Sequence, residues 1–101
     1  MRVDKNQINN DIVLTDRLDL YGQAAGNISV LQGGELRLYG QCSRDITVTA
    51  GGIAIIYGMV VGSVVNDGGN VEVLGAIIGS LRTISGSTSV NPNASILGGR
   101  E

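Results

Sequence analysis

Apolar and polar residues alternate along this chain in short bursts, and the bursts return at a nearly fixed interval. Leu36-Arg37-Leu38 leads into Tyr39-Gly40, and Ile46-Thr47-Val48 leads towards Gly51-Gly52. The Tyr-Gly step recurs as Tyr57-Gly58 and, with Leu for Tyr, as Leu74-Gly75, at intervals of 18 and 17. Gly51-Gly52 recurs as Gly68-Gly69, an interval of 17. Period-2 alternation is the pattern of a half-buried strand. A fixed period below about 20 residues, with that alternation inside it, predicts a parallel β-solenoid.

Aligning the repeats predicts the interior. One inward column reads Leu18, Leu36, Ala54, Val71, Thr88, and two residues on come Leu20, Leu38, Ile56, Val73, Val90. The next face contributes Ala24, Cys42, Val60, Ile77, Ala94. The third contributes Ile28, Ile46, Val64, Leu81, and beside them Ile12, Val30, Val48, Asn66, Thr83. The expectation is an all-β, single-domain, three-faced parallel β-helix of about five coils of 17–18 residues. At a spacing of roughly 4.8 Å per rung it would be about 20–25 Å long. Residues 1–11 show no repeat phrase and are expected to form a polar arm or cap, with the solenoid at 12–101. Repeated Gly at one phase predicts repeated bends, with Pro92 taking the fifth corner place after Gly22, Gly40, Gly58 and Gly75.

Handedness has two readings. Leu18, Ala24, Val30, Leu36, Cys42, Val48, Ala54 and Val60 fall every six residues, a hexapeptide pattern that points to a left-handed coil. The period then shortens to 17, and the first and third faces each carry two inward residues where a hexapeptide repeat needs one. Those two features favour a right-handed β-helix.

Composition narrows the chemistry. Phe and Trp are absent and Tyr supplies all three aromatics, so Val, Ile and Leu must fill the interior. Seven basic against nine acidic residues give a net charge of −2, without the clustered Lys and Arg of a nucleic-acid or anionic-membrane footprint. One Cys provides no internal disulfide and suits a reducing compartment, so a cytoplasmic location is expected. The first six residues hold no apolar run of the signal-peptide kind, and no stretch approaches the ~18–20 apolar residues of a membrane span. With no His, the usual general base and the commonest metal ligand are missing. No cofactor or metal is expected, and no catalytic residue emerges.

At this point the chain resembles the bactofilins, polymer-forming bacterial cytoskeletal proteins. The resemblance lies in Gly-Met-Val-Val-Gly-Ser-Val-Val (58–65), Gly-Gly-Asn-Val-Glu-Val-Leu-Gly-Ala-Ile-Ile-Gly-Ser-Leu (68–81) and Gly-Asn-Ile-Ser-Val (26–30), and it spans about residues 12–98. It implies a right-handed three-faced β-helix that stacks end to end into filaments without nucleotide. The disordered Pro-rich tails and the membrane-targeting peptide of many bactofilins have no counterpart here.

Individual motifs stay modest. Cys42 reads as a buried small hydrophobe, because a nucleophile needs exposure and a cationic neighbour. Asp67-Gly68-Gly69-Asn70 reads as a tight turn, since the acidic residue of a calcium-binding repeat does not recur. Thr47-Val48-Thr49 is a single rung and makes no ice-binding surface. Gly33-Gly34 lacks the Lys-Ser/Thr and the helix of a phosphate loop. Tyr21, Tyr39 and Tyr57 should stack outward at one corner, and Asp19, Arg37, Ile55, Glu72 should form an outward column with opposite charges on its first two rungs.

Met59-Val60-Val61 and Ala76-Ile77-Ile78 break the alternation. With Val60 and Ile77 inside, Met59, Val61, Ala76 and Ile78 must face out, and outward Ile53, Ile55 and Val65 lie in the same coil as Met59. Such a patch marks a partner surface. The candidate binding residues are therefore Met59, Val61, Ala76, Ile78, Ile55 and Val65. The partner is expected to be the protein itself or one other protein, with no nucleic acid and no membrane insertion. The expected function is non-catalytic self-association or scaffolding. The alternative is a soluble protein-binding module such as a toxin-neutralising immunity protein. The weak apolar columns of the last coil suggest pairing between C-terminal ends, or lateral pairing through Met59, Val61 and Ile78.

Overall fold

The computed structural model describes residues 2–4, 7–8 and 11–99, the first two segments by their backbone alone. Every strand pair among them is parallel. The first face carries β1 (Arg2–Asp4), β4 (Arg17–Leu20), β7 (Glu35–Leu38) and β10 (Ile53–Ile56). The second carries β2 (Gln7–Ile8), β5 (Gln23–Ala24), β8 (Gln41–Cys42), β11 (Met59–Val60), β13 (Ala76–Ile77) and β15 (Ser95–Ile96). The third carries β3 (Ile12–Leu14), β6 (Ile28–Val30) and β9 (Ile46–Thr49). Strands β12 (Val64–Val73) and β14 (Leu81–Val90) each run from the third face round the corner onto the first, so those two faces join in one nine-stranded sheet. The chain winds about five turns as a three-faced parallel β-solenoid.

The register bears out most of the expected columns. Leu18 pairs with Leu36, Leu36 with Ala54, Ala54 with Val71 and Val71 with Thr88. Ile28, Ile46, Val64 and Leu81 stack on the third face. The interior is apolar because every second residue of each strand points into it, from Leu14 to Leu81, almost without solvent contact. Two assignments need correction. Ile12 belongs beside Ile28, and Leu14 takes its place beside Val30. At the other end Ile77 stacks on Ile96, not Ala94. The first interval is shorter than 18 and the last longer than 17, and a constant period misplaces residues at both ends.

The longer last interval has a local cause. The Asn91 carbonyl accepts from the Ala94 N–H, and the Asn91 Oδ1 accepts from the Asn93 N–H, so 91–94 form a turn with Pro92 at its second position. The Ser95 N–H then donates to the Gly75 carbonyl as the Ala76 N–H does to that of Gly58. Ala94, not Pro92, therefore occupies the fifth corner place.

The corner glycines have two separate causes. Gly51 sits at φ 81°, a left-handed conformation that L side chains rarely adopt, and Gly33, Gly68 and Gly86 repeat it. Gly58 has no positive φ; there a Cβ would lie 1.9 Å from the Gly40 carbonyl oxygen of the rung below. The Tyr-Gly glycines are required by close approach between coils, and the bend explanation applies only to the other corner.

Of the expected 1–11 arm or cap, β1 and β2 pair with β4 and β5 through Arg2↔Leu18 and Ile8↔Ala24, so the ladder continues N-terminal to residue 12. The side chains of 1–10 lie outside the described residues. At the opposite end β15 closes the six-stranded sheet order.

Candidate functional site on the second face

The strands of the second face are only two residues long, so each exposes one outward residue within the strand and one directly after it. The first outward column reads Gln23, Gln41, Met59, Ala76, Ser95. The second follows from matching backbone bonds: the N–H groups of Ser43, Val61, Ile78 and Leu97 donate to Ala24, Cys42, Val60 and Ile77, giving Ser43, Val61, Ile78, Leu97. The lower rungs are polar, with Gln23 Nε2 donating to Ser43 Oγ at 3.0 Å. The upper rungs are apolar except at Ser95. Val61, Ile78 and Leu97 are 39%, 38% and 71% exposed, and Met59 and Ala76 are half-buried beside them.

The structure thus brings together four of the six expected contact residues: Met59, Val61, Ala76 and Ile78. It separates the other two. Ile55 faces out from the first face, across the Tyr57-Gly58 corner, and Val65 from the third, across Gly62-Ser63. Sharing a coil is not sharing a face, since each corner turns the chain away. Leu97 belongs to the stripe and escaped the sequence reading, because the two-residue error in the last coil hid its alignment with Ile78.

Elsewhere the residues serve the scaffold. Tyr21, Tyr39 and Tyr57 stack with centroids 4.6 and 4.7 Å apart and rings within 6° of parallel. That spacing is close to the rung spacing, so the ladder itself sets the stacked contact. Cys42 is fully buried and its thiol donates to the Arg44 carbonyl at 3.3 Å. Burial pushes that thiol up from its ordinary pKa, which disfavours the reactive thiolate. The expected Asp19–Arg37 pairing across rungs is not the one formed. Arg37 Nε donates to Glu35 at 2.9 Å within its own strand, Arg17 pairs with Asp19 at 3.3 Å, and among the described residues only Arg17–Glu35, at 3.8 Å, crosses rungs.

Two polar constructions were also missed. At the corner between the second and third faces, each coil accepts the next coil's backbone with a short side chain. Asp11 Oδ1 accepts from the Asn27 N–H, Asn27 Oδ1 from Asp45, Asp45 Oδ1 from Ser63 and Ser63 Oγ from Ser80, over 2.8–3.1 Å. The signal was a short polar residue just before the first inward residue of every third-face strand. The second lies inside the last coils. Asn66 is fully buried, yet its Oδ1 accepts from the Gly69 N–H and its Nδ2 donates to the Ser87 carbonyl and Thr88 Oγ1. Thr88 also bonds Thr83 at 2.7 Å. A buried amide without partners costs several kcal/mol, and here every group is met.

Among the described residues no group of three or more His, Cys, Asp or Glu side chains is placed to hold a metal, and no helix is long and apolar enough to cross a membrane. The class of protein defined by this geometry is a parallel β-solenoid with one apolar lateral stripe. No protein-family model matches the chain, and neither curated proteins nor solved structures show a significant similarity to it.

Proposed function

We propose that the protein is a non-catalytic, bactofilin-like β-solenoid that acts by self-association or scaffolding, with its second face as the contact. One observation carries this reading: apart from Ala25 below and Ser95 above, the outward columns of that face change from Gln23, Gln41 and Ser43 to Met59, Val61, Ala76, Ile78 and Leu97 while the strands beneath remain in unbroken register. Nothing in the ladder calls for that change, since Gln41 and Ser43 occupy the same positions one coil below Met59 and Val61. Exposed apolar area set on a flat, rigid support favours association, because little side-chain or backbone order is lost on contact. The buried Asn66 and the half-buried Thr83 and Thr88, all partnered, make the C-terminal interior less apolar, so a lateral contact is favoured over apolar stacking of C-terminal ends.

The test is analytical ultracentrifugation beside electron microscopy of the wild type and of Val61→Glu with Ile78→Glu. The wild type should form dimers or longer assemblies, and the double variant should form smaller ones with an unchanged circular dichroism spectrum. A wild type that remains monomeric up to about 1 mM, where association contributes only ~4 kcal/mol, defeats self-association and leaves the same stripe to a different protein partner.

A further inference from the structure

The first face carries a different pattern. Its outward columns read Arg17, Glu35, Ile53, Asn70, Ser87 and Asp19, Arg37, Ile55, Glu72, Ser89. Charges fill the rungs below Ile53 and Ile55, and those charges are already paired with one another. Glu72, on the rung above, is exposed and has no ion-pair partner among the described residues. A shallow groove of about 250 Å³ lies between Ile53, Ile55, Glu72 and Ser89.

We propose that the first face is an isologous interface with a second copy of this chain, the two solenoid axes antiparallel and the Ile53–Ile55 rung at the centre. The inference rests on the self-association reading and adds a second contact to it. A two-fold axis along the strands, through the central rung, sets each column against its own copy and reverses the order of the rungs. Ile53 then meets Ile53 and Ile55 meets Ile55. Glu72 of each copy meets Arg37 of the other, twice over, and Ser87 meets Arg17, while Asp19, only 7% exposed, lies too deep to take part. Arg37 engages Glu35 through its Nε, and a guanidinium carries five donors, so it can take a second carboxylate.

The other face-to-face arrangement, with parallel axes, sets one column against the other. It places Glu72 against Asn70 and leaves the carboxylate without a cation. It also sets already-neutralised pairs against each other. Charge complementarity therefore favours the antiparallel form, in which the unpaired anion gains its partner.

The area is small. Five rungs at ~4.8 Å and four residues at ~3.3 Å make roughly 300 Å² per copy in projection, below the standard for a tight complex. The contact is weak alone. Two isologous contacts on different faces of one rigid body nevertheless suffice to build a growing assembly, because each added copy leaves its other face free.

The experiment uses the Val61→Glu, Ile78→Glu protein, in which the second face is blocked. Sedimentation should show a monomer–dimer equilibrium that weakens with salt. Glu72→Arg should raise its dissociation constant about tenfold or more, as should Arg37→Glu, and the two together should restore it to within about threefold. Circular dichroism checks that each variant is folded. Failure of the double swap to rescue overturns the proposed geometry, since Glu72 and Arg37 meet only in the antiparallel form. A blocked protein that never dimerises, beside a wild type that does, overturns this interface and leaves the second-face reading standing. A monomeric wild type overturns both.

Discussion

The inward residues make sense only as columns. Ile46 is fully buried, with Ile28 below it and Val64 above, so its environment is made by residues 18 positions away on either side. Ile46→Asp places a carboxylate with no cation or donor in that stack. The loss should be several kcal/mol, against a typical total stability of about 5–15, and the variant should be unfolded by circular dichroism at room temperature. A variant melting within a few degrees of the wild type would refute the register. Asn66 shows the opposite case at the same depth. It is tolerated because three partners from the turn and the next coil satisfy its amide. Polarity in this core is governed by bond supply, not by burial alone.

Between coils, the element that sets tolerance is the Tyr-Gly corner. The Gly40 carbonyl accepts from the Met59 N–H at 3.1 Å, and the same oxygen would lie 1.9 Å from a Cβ at position 58. The obstacle is backbone, so it cannot rotate away as a flexible side chain can. Gly58→Ala should therefore force the rungs apart locally and cost about 2–4 kcal/mol, well beyond the ~0.5 kcal/mol scale of an ordinary surface change. Chemical denaturation gives that number directly. The loss should appear although alanine is harmless at most exposed strand positions. The stacked tyrosines beside this corner should lose their parallel geometry with it, which near-ultraviolet circular dichroism would register.

For the molecule as a whole, stability is a sum over rungs. Each strand hydrogen-bonds only to its neighbours in the ladder, and the whole measures 30 × 24 × 20 Å. Such a body is quasi-one-dimensional, and removing one complete repeat shortens it without changing its plan. Excising residues 35–52 joins Gly34 to Ile53 at the phase where Gly52 now joins Ile53. The product should keep the parallel β spectrum and melt cooperatively at a lower temperature. An excision of nine residues, half a coil, should not fold, because it sets third-face strands against first-face strands. Equal behaviour of the two deletions would contradict the ladder.

How far the sequence reached follows from the range of each interaction. Alternation, the 17–18 residue interval and glycine phase are local properties that repeat, so the solenoid and nearly all inward columns were legible from them. Leu18, Leu36 and Ala54, or Ile28 and Ile46, needed only a count. Interval changes at the ends, near Leu14 and at the turn 91–94, are single events with no repeat to reveal them, and there Ile12, Ala94 and Leu97 went astray. Tertiary structure alone decided which outward residues share a face. Met59, Val61, Ile55 and Val65 lie within one coil, but the corners at Gly58 and Gly62 send them to three surfaces. It also decided that Arg37 pairs with Glu35 in its own strand and not with Asp19 one rung below. Spacing along the chain determines which rung a residue joins; the bend of each corner and the reach of each side chain determine what it meets there.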